Sequence, residues 1–82
     1  MRISIRYFGA AQAAAGVEAD TRTVEAGTSV AELTRLLTQQ NPRLATVLAR
    51  CSYLCDGVAV RDTSAPMQAG QTIDVLPPFA GG

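Results

Sequence analysis

The sequence contains no histidine and no lysine. The first absence removes the commonest general base at neutral pH and the commonest metal ligand. The second leaves all seven basic residues as arginine, so this chain cannot be linked to copies of itself through a lysine side chain. The many alanines fit a genomic codon bias as the origin of that choice. Seven acidic residues balance the seven arginines, for a net charge of zero. That balance argues against nucleic-acid binding, which calls for a basic stripe. Cysteine is scarce: Cys51 and Cys55, in "CSYLC", are the only two. Zinc takes four ligands, and nothing near this pair completes a set. On an extended segment the two sulfurs share a face about 13 Å apart, at ~3.3 Å per residue. A disulfide needs Cα atoms within about 7 Å. Both are expected to be reduced, small and mostly buried. Long apolar runs are also absent, far short of the ~20 residues that span a bilayer. "MRISIRYF" alternates where a secretory signal would carry a continuous apolar stretch. The expectation is a soluble, cytoplasmic protein without membrane, nucleic-acid or metal partners.

What remains is a chain of 82 residues with 48% hydrophobic residues. That is enough for one domain with one modest core. "RISIRYF" has period two. Ile3, Ile5 and Tyr7 fall on one face, and Arg2, Ser4, Arg6 and Phe8 on the other, the signature of a half-buried strand. "GAAQAAAG" predicts one or two helical turns between glycines. "EADTRTVEA", with β-branched Thr21, Thr23 and Val24, predicts a second strand, antiparallel to the first. "GTSVAELTRLLTQQNP" is the clearest helix. Thr28 or Ser29 can cap it, Ser29-x-x-Glu32 fits a capping box, and Val30, Leu33, Leu36 and Leu37 recur along one stripe. Asn41-Pro42 ends it. "RLATVLAR" predicts a shorter helical turn through Leu44, Val47 and Leu48. "CSYLCDGVAVRD" predicts a strand, an Asp56-Gly57 turn and a return strand. "TIDVLPP" predicts a last strand, with Ile73 and Val75 on one face and Asp74 and Leu76 on the other. Pro77-Pro78 stops it, because proline has no N–H for the ladder. Helices confined to one face of a mixed sheet make an α+β domain. If the first and last strands pair at the centre, the fold is a ubiquitin-like β-grasp over residues 1–76, with 77–82 an extended tail.

The sequence closes on Gly81-Gly82, the residue type with most conformational freedom to lose on ordering. Such a dipeptide packs nothing and caps nothing. It offers a thin strip of backbone and a carboxylate, or else it is a frayed end.

"RYFGAAQAAAG", then a strand, a helix and the closing "PPFAGG", resembles the MoaD/ThiS group of ubiquitin-like sulfur carriers. The similarity is greatest to its molybdopterin synthase small subunits and extends over essentially the whole chain. Its most specific part is Pro77-Pro78-Phe79-Ala80-Gly81-Gly82. Three positions depart from the family pattern. Gln12 and Ala13 stand where an Arg-Glu pair is frequent, and Asp56 where Asn is frequent. The helical segment at "PRLATVLAR" favours molybdopterin over the shorter thiamine-pathway relatives. The resemblance implies that the Gly82 carboxylate is adenylated by a ubiquitin-activating-like adenylyltransferase that uses ATP. A sulfur donor then converts it to a thiocarboxylate. A large synthase subunit of the MoaE type would catalyse transfer of that sulfur to cyclic pyranopterin monophosphate, in a heterotetramer. The chain itself is expected to be a carrier rather than a catalyst, with no bound cofactor. Alternatives are a carrier for thiamine or cysteine synthesis, and a ubiquitin-like modifier joined to lysine through Gly82.

Glycines at 81 and 82 can thread a tunnel that a side chain would block. Six residues from Pro77 reach at most about 20 Å, and Pro77-Pro78 is pre-extended, which lowers the cost of ordering. Phe8 and Leu76 point away from their strands' core residues, and Ala59 matches a third position of the family's docking patch. Exposed apolar patches of this kind mark interfaces. A one-residue slip would instead put Phe8 in the core. Phe79 is placed to anchor the tail in a partner groove, with Ala80 beside it.

Overall fold

The computed structural model describes residues 1–78. Its elements, in chain order, are β1 (Arg2–Tyr7), α1 (Gly9–Ala15), β2 (Ala19–Thr23), α2 (Val30–Gln40), α3 (Leu44–Leu48), β3 (Ser52–Cys55), β4 (Val58–Ala59) and β5 (Thr72–Leu76). The five strands form one sheet in the order β2-β1-β5-β3-β4. β1 pairs antiparallel with β2 and parallel with β5, while β3 pairs antiparallel with both β4 and β5. The last strand is therefore the central one, flanked by the first. This is the ubiquitin-like β-grasp expected from the order of elements.

One face of the sheet carries the core. Ile3, Ile5 and Tyr7 from β1 and Ile73 and Val75 from β5 are buried there. Ala11 of α1, Val30, Leu33 and Leu37 of α2, Leu44 and Leu48 of α3, and Met67 close over them. A period-two strand has only one face to bury, so the helices cover that face alone.

Helix α2 starts as its sequence dictates. The Ser29 side chain accepts from the Glu32 N–H at 3.1 Å, and the Glu32 carboxylate accepts from the Ser29 N–H at 3.2 Å. The cap is thus Ser29, while the Thr28 hydroxyl donates to Glu25 O at 2.7 Å. The helix ends at Gln40, and the Asn41 N–H still donates to Leu37 O at 2.9 Å. Leu36 departs from expectation. It is 42% exposed, because a helical residue is turned about 100° from its neighbour and Leu37 already faces the core.

The Asp56-Gly57 turn forms between β3 and β4, with φ of 49° and 82°. Such left-handed pairs match the twist of a two-residue hairpin. The return strand is shorter than expected and is confined to Val58–Ala59. Cys51 and Cys55 are free and only half-buried, less enclosed than their residue type suggested. No helix among the described residues is long and apolar enough to cross a membrane.

Candidate functional site

The site is built where β1 and β5 end side by side. The Phe8 N–H donates to Val75 O at 3.2 Å, continuing the parallel ladder one step beyond β1. Phe8 is extended, with φ −121° and ψ 150°, and its carbonyl accepts from the Ala11 N–H at 3.0 Å to open α1. The backbone turns sharply at Gly9, whose φ is +51°. A Cβ there would stand 3.1 Å from Cγ of Pro77. The left-handed backbone favours glycine at this position, and an added Cβ would press on the proline that leaves β5, which would have to give by a few tenths of an ångström.

Phe8, Gly9, Ala10, Ser52, Leu76, Pro77 and Pro78 line one groove of about 590 Å³. Phe8 is 40% exposed while Ile3, Ile5 and Tyr7 are buried, so the register is the one that turns Phe8 outward. The structure brings Phe8, Leu76, Pro77 and Pro78 together. Ala59 shares their side of the sheet through the pairings Leu54↔Ala59 and Leu54↔Asp74. It does not line their groove. It borders a separate depression with Val58, Val60 and Met67. Phe79, Ala80, Gly81 and Gly82, assigned anchoring and reactive roles from the sequence, lie outside the described residues.

Sequence reasoning missed the charged pair at the middle of this face. Arg6 Nε and Nη2 donate to the two Asp74 carboxylate oxygens at 2.6 and 2.8 Å. The parallel register sets Arg6 opposite Asp74. Asp74 is only 5% exposed, although it points away from the core, because the Arg6 side chain lies across it. The Arg6 guanidinium carbon also stands 5.7 Å from the Phe8 ring centre, within cation–π range. The hydrogen bond to Asp74, and then its charge, raise the Arg6 pKa above an already high ordinary value. The signal for this pair was present as one basic and one acidic residue at outward positions of two strands. It becomes readable only when the strands are known to be neighbours.

Other reactive groups are quiet. Burial raises the Cys51 thiol pKa, and burial followed by the nearby Asp56 charge raises that of Cys55. Both thiols are therefore held in the less nucleophilic form. Burial, with a smaller contribution from Cys51, pushes the Tyr53 pKa up to about 12. Its hydroxyl donates to Leu48 O at 3.1 Å, tying β3 to the end of α3. Among the described residues no cluster of three histidine, cysteine or acidic side chains could hold a metal ion.

A model of the ThiS family matches residues 5–82. A search of the curated proteins finds no match. Among solved structures, the HVO 2177 protein of Haloferax volcanii is similar at TM-score 0.87 and 25% identity, over 100% of this chain and 87% of that one. SAMP1 from Haloferax volcanii is similar at TM-score 0.87 and 20% identity, over 100% of both chains. A chain from the complex of subunits 1 and 2 of the molybdopterin-converting factor of Helicobacter pylori 26695 is similar at TM-score 0.73 and 24% identity, over 100% of both chains.

Proposed function

The chain belongs to the ThiS family, and from that premise we propose that it is the sulfur-carrying small subunit of a molybdopterin synthase. The family's ubiquitin-like sulfur carriers are small and non-catalytic. The observation that carries the reading is that the family match runs through Gly82 on a chain whose central strand delivers its end into an apolar groove. β5 stops at Leu76, and Pro77 and Pro78 leave along the wall formed by Phe8 and Gly9.

In this reading the carboxylate of Gly82 is the working group. A carboxylate is a poor electrophile, since its charge is spread over two oxygens. An ATP-dependent adenylyltransferase would join one oxygen to the α-phosphate of ATP and release pyrophosphate. A sulfur nucleophile would then attack the acyl carbon and expel AMP, leaving a thiocarboxylate. The groove at Phe8, Leu76, Pro77 and Pro78 would dock on the large subunit, and Phe79 to Gly82 would enter its active site. Likeness to a chain of the Helicobacter pylori subunit 1–subunit 2 complex supports a partner of the subunit 2 type. The half-buried thiols with raised pKa values suit a carrier whose sulfur sits on the terminal carbonyl rather than on cysteine.

A second reading is a protein modifier joined through Gly82 to lysines of other proteins. It is favoured by the likeness to SAMP1, small archaeal modifier protein 1, over 100% of both chains. Intact-mass spectrometry of the untagged protein from its native cell separates the two. A carrier gains the mass difference between one oxygen and one sulfur. A modifier appears instead as Gly-Gly remnants on lysines of digested target proteins. Neither signal from cells that are making molybdenum cofactor would overturn both readings.

A further inference from the structure

The open face of the sheet is divided into zones, and the division suggests what meets it. The pairings place Ala19, Arg6, Asp74, Leu54 and Ala59 in one row across the five strands. Toward the tail, Phe8, Leu76 and Ser52 lie next to that row. On the opposite side are Thr21, Ser4 and Thr72, followed by Arg2 beside Thr23. The face is therefore apolar near the tail, polar at the far end, and charged at its centre.

Arg2, Arg6 and Asp74 are the charged side chains at strand positions on this face, and Asp74 is already held by Arg6. Two arginines against one carboxylate leave an excess of one positive charge, and with Asp74 paired to Arg6 that excess sits on Arg2. Arg6 is also fixed in place. Nε and Nη2 are committed to Asp74, and the guanidinium stands near the Phe8 ring. Among the described residues Nη1 has no hydrogen-bond partner, and the side chain is 57% exposed. A guanidinium held in a bidentate fork has lost most of its rotamer freedom before any partner arrives. Arginine is enriched among the few residues that dominate binding energy at interfaces.

We infer that Arg6 is the specificity-determining contact of this face, and that the partner it selects is a protein surface that sets a carboxylate against Arg6 and apolar side chains against Phe8, Leu76 and Leu54. Asp74 is the positioning residue that aims Arg6. The inference rests on the docking reading above and adds the charge of the partner to it. A partner with an arginine or lysine at the same point would meet a like charge and be refused.

The test uses the full-length chain and the subunit 2 homologue encoded in the same genome, titrated by calorimetry at low and high salt. Arg6→Gln with Asp74→Asn removes both charges and keeps a neutral hydrogen bond between the two positions. Its melting curve is recorded alongside, so that a folding defect is not read as lost affinity. Phe8→Ala reports the apolar half of the same face. The expected result is about a tenfold or greater loss of affinity for the neutralised pair, with a flatter salt dependence. Phe8→Ala should weaken binding without changing that dependence. Arg6→Glu should bind worst, and reversal to arginine of one particular acidic residue of the partner should restore it. If Phe8→Ala weakens binding while the neutralised pair binds as the parent does, docking at this face stands and the role of Arg6 falls. If neither variant alters binding, or the parent does not bind, the docking reading is overturned and this inference with it.

Discussion

The two faces of the sheet are made by the same strands and do different work. On the helix side, Ile3, Ile5, Tyr7, Ile73 and Val75 are buried together. One residue away along the same backbone, Ser4, Arg6, Phe8, Asp74 and Leu76 face outward. The helix side is held by apolar burial, which is non-directional and roughly proportional to area. The open side is held by geometry: a two-pronged ion pair, an arginine near a ring and a glycine under a proline. A side chain lost from the first face should weaken the fold. One lost from the second should chiefly change what the fold can bind.

The sharpest contrast is at the end of β5. Deleting Gly82, or adding one residue after it, is expected to abolish thiocarboxylate formation while leaving the melting temperature unchanged. Among the described residues the buried core is built from side chains between Ile3 and Val75. Intact mass and a thermal melt on both variants check this, and a tagged protein that still carries sulfur would refute the carrier reading.

Next in size is Ile5→Ala on the helix side. Ile5 is fully buried, and truncating such a residue costs about 2–5 kcal/mol. Chemical denaturation measures the loss, and the folded fraction should bind its partner normally. Phe8→Ala is the mirror experiment. At 40% exposure it should cost well below the ~3–5 kcal/mol of a core phenylalanine. It should instead remove about 1–2 kcal/mol from binding to the large subunit. A large stability loss with unchanged affinity would collapse the distinction between the faces.

A smaller effect is expected for the thiols. Cys51→Ser with Cys55→Ala should keep sulfur transfer, at some cost in stability from lost contacts of two half-buried side chains. Failure of the folded double variant to form thiocarboxylate would return the cysteines to the chemistry.

The smallest effect concerns pH. Tyr53 ionises at about 12 in the folded chain, against an ordinary value near 10. An acid with a raised pKa keeps its proton longer when folded than when unfolded. Its contribution is therefore fully present below about pH 10 and is lost as pH rises toward 12. Denaturation curves should be flat with respect to this group up to about pH 10 and decline between there and about 12. Tyr53→Phe should reduce the slope, leaving the share of Tyr7, whose pKa burial also raises.

Local signals foretold much of this molecule because they act over a few residues. Alternation in β1 named its buried and exposed sides correctly, Phe8 included. Ser29 and Glu32 announced the start of α2, and Asp56-Gly57 announced the hairpin. Leu36 misled because apolar spacing counts residues on a wide stripe, and the neighbouring elements decide how much of that stripe is covered. The Arg6–Asp74 pair escaped the sequence because an outward carboxylate on a strand looks solvated until the arginine that covers it is placed.

The sequence by itself determined which side of each strand is apolar, where the main helix begins and ends, and that no histidine- or lysine-based chemistry is open to the chain. Those properties follow from periodicity and composition. The tertiary structure alone decided that β5 lies beside β1, and from that single adjacency come Arg6 on Asp74, Phe8 beside Leu76, and Gly9 under Pro77. Arg6 and Asp74 are separated by 68 residues. No local preference reaches that far. Their meeting is set by how the helices close over one face and force the two ends of the chain into the middle of the sheet.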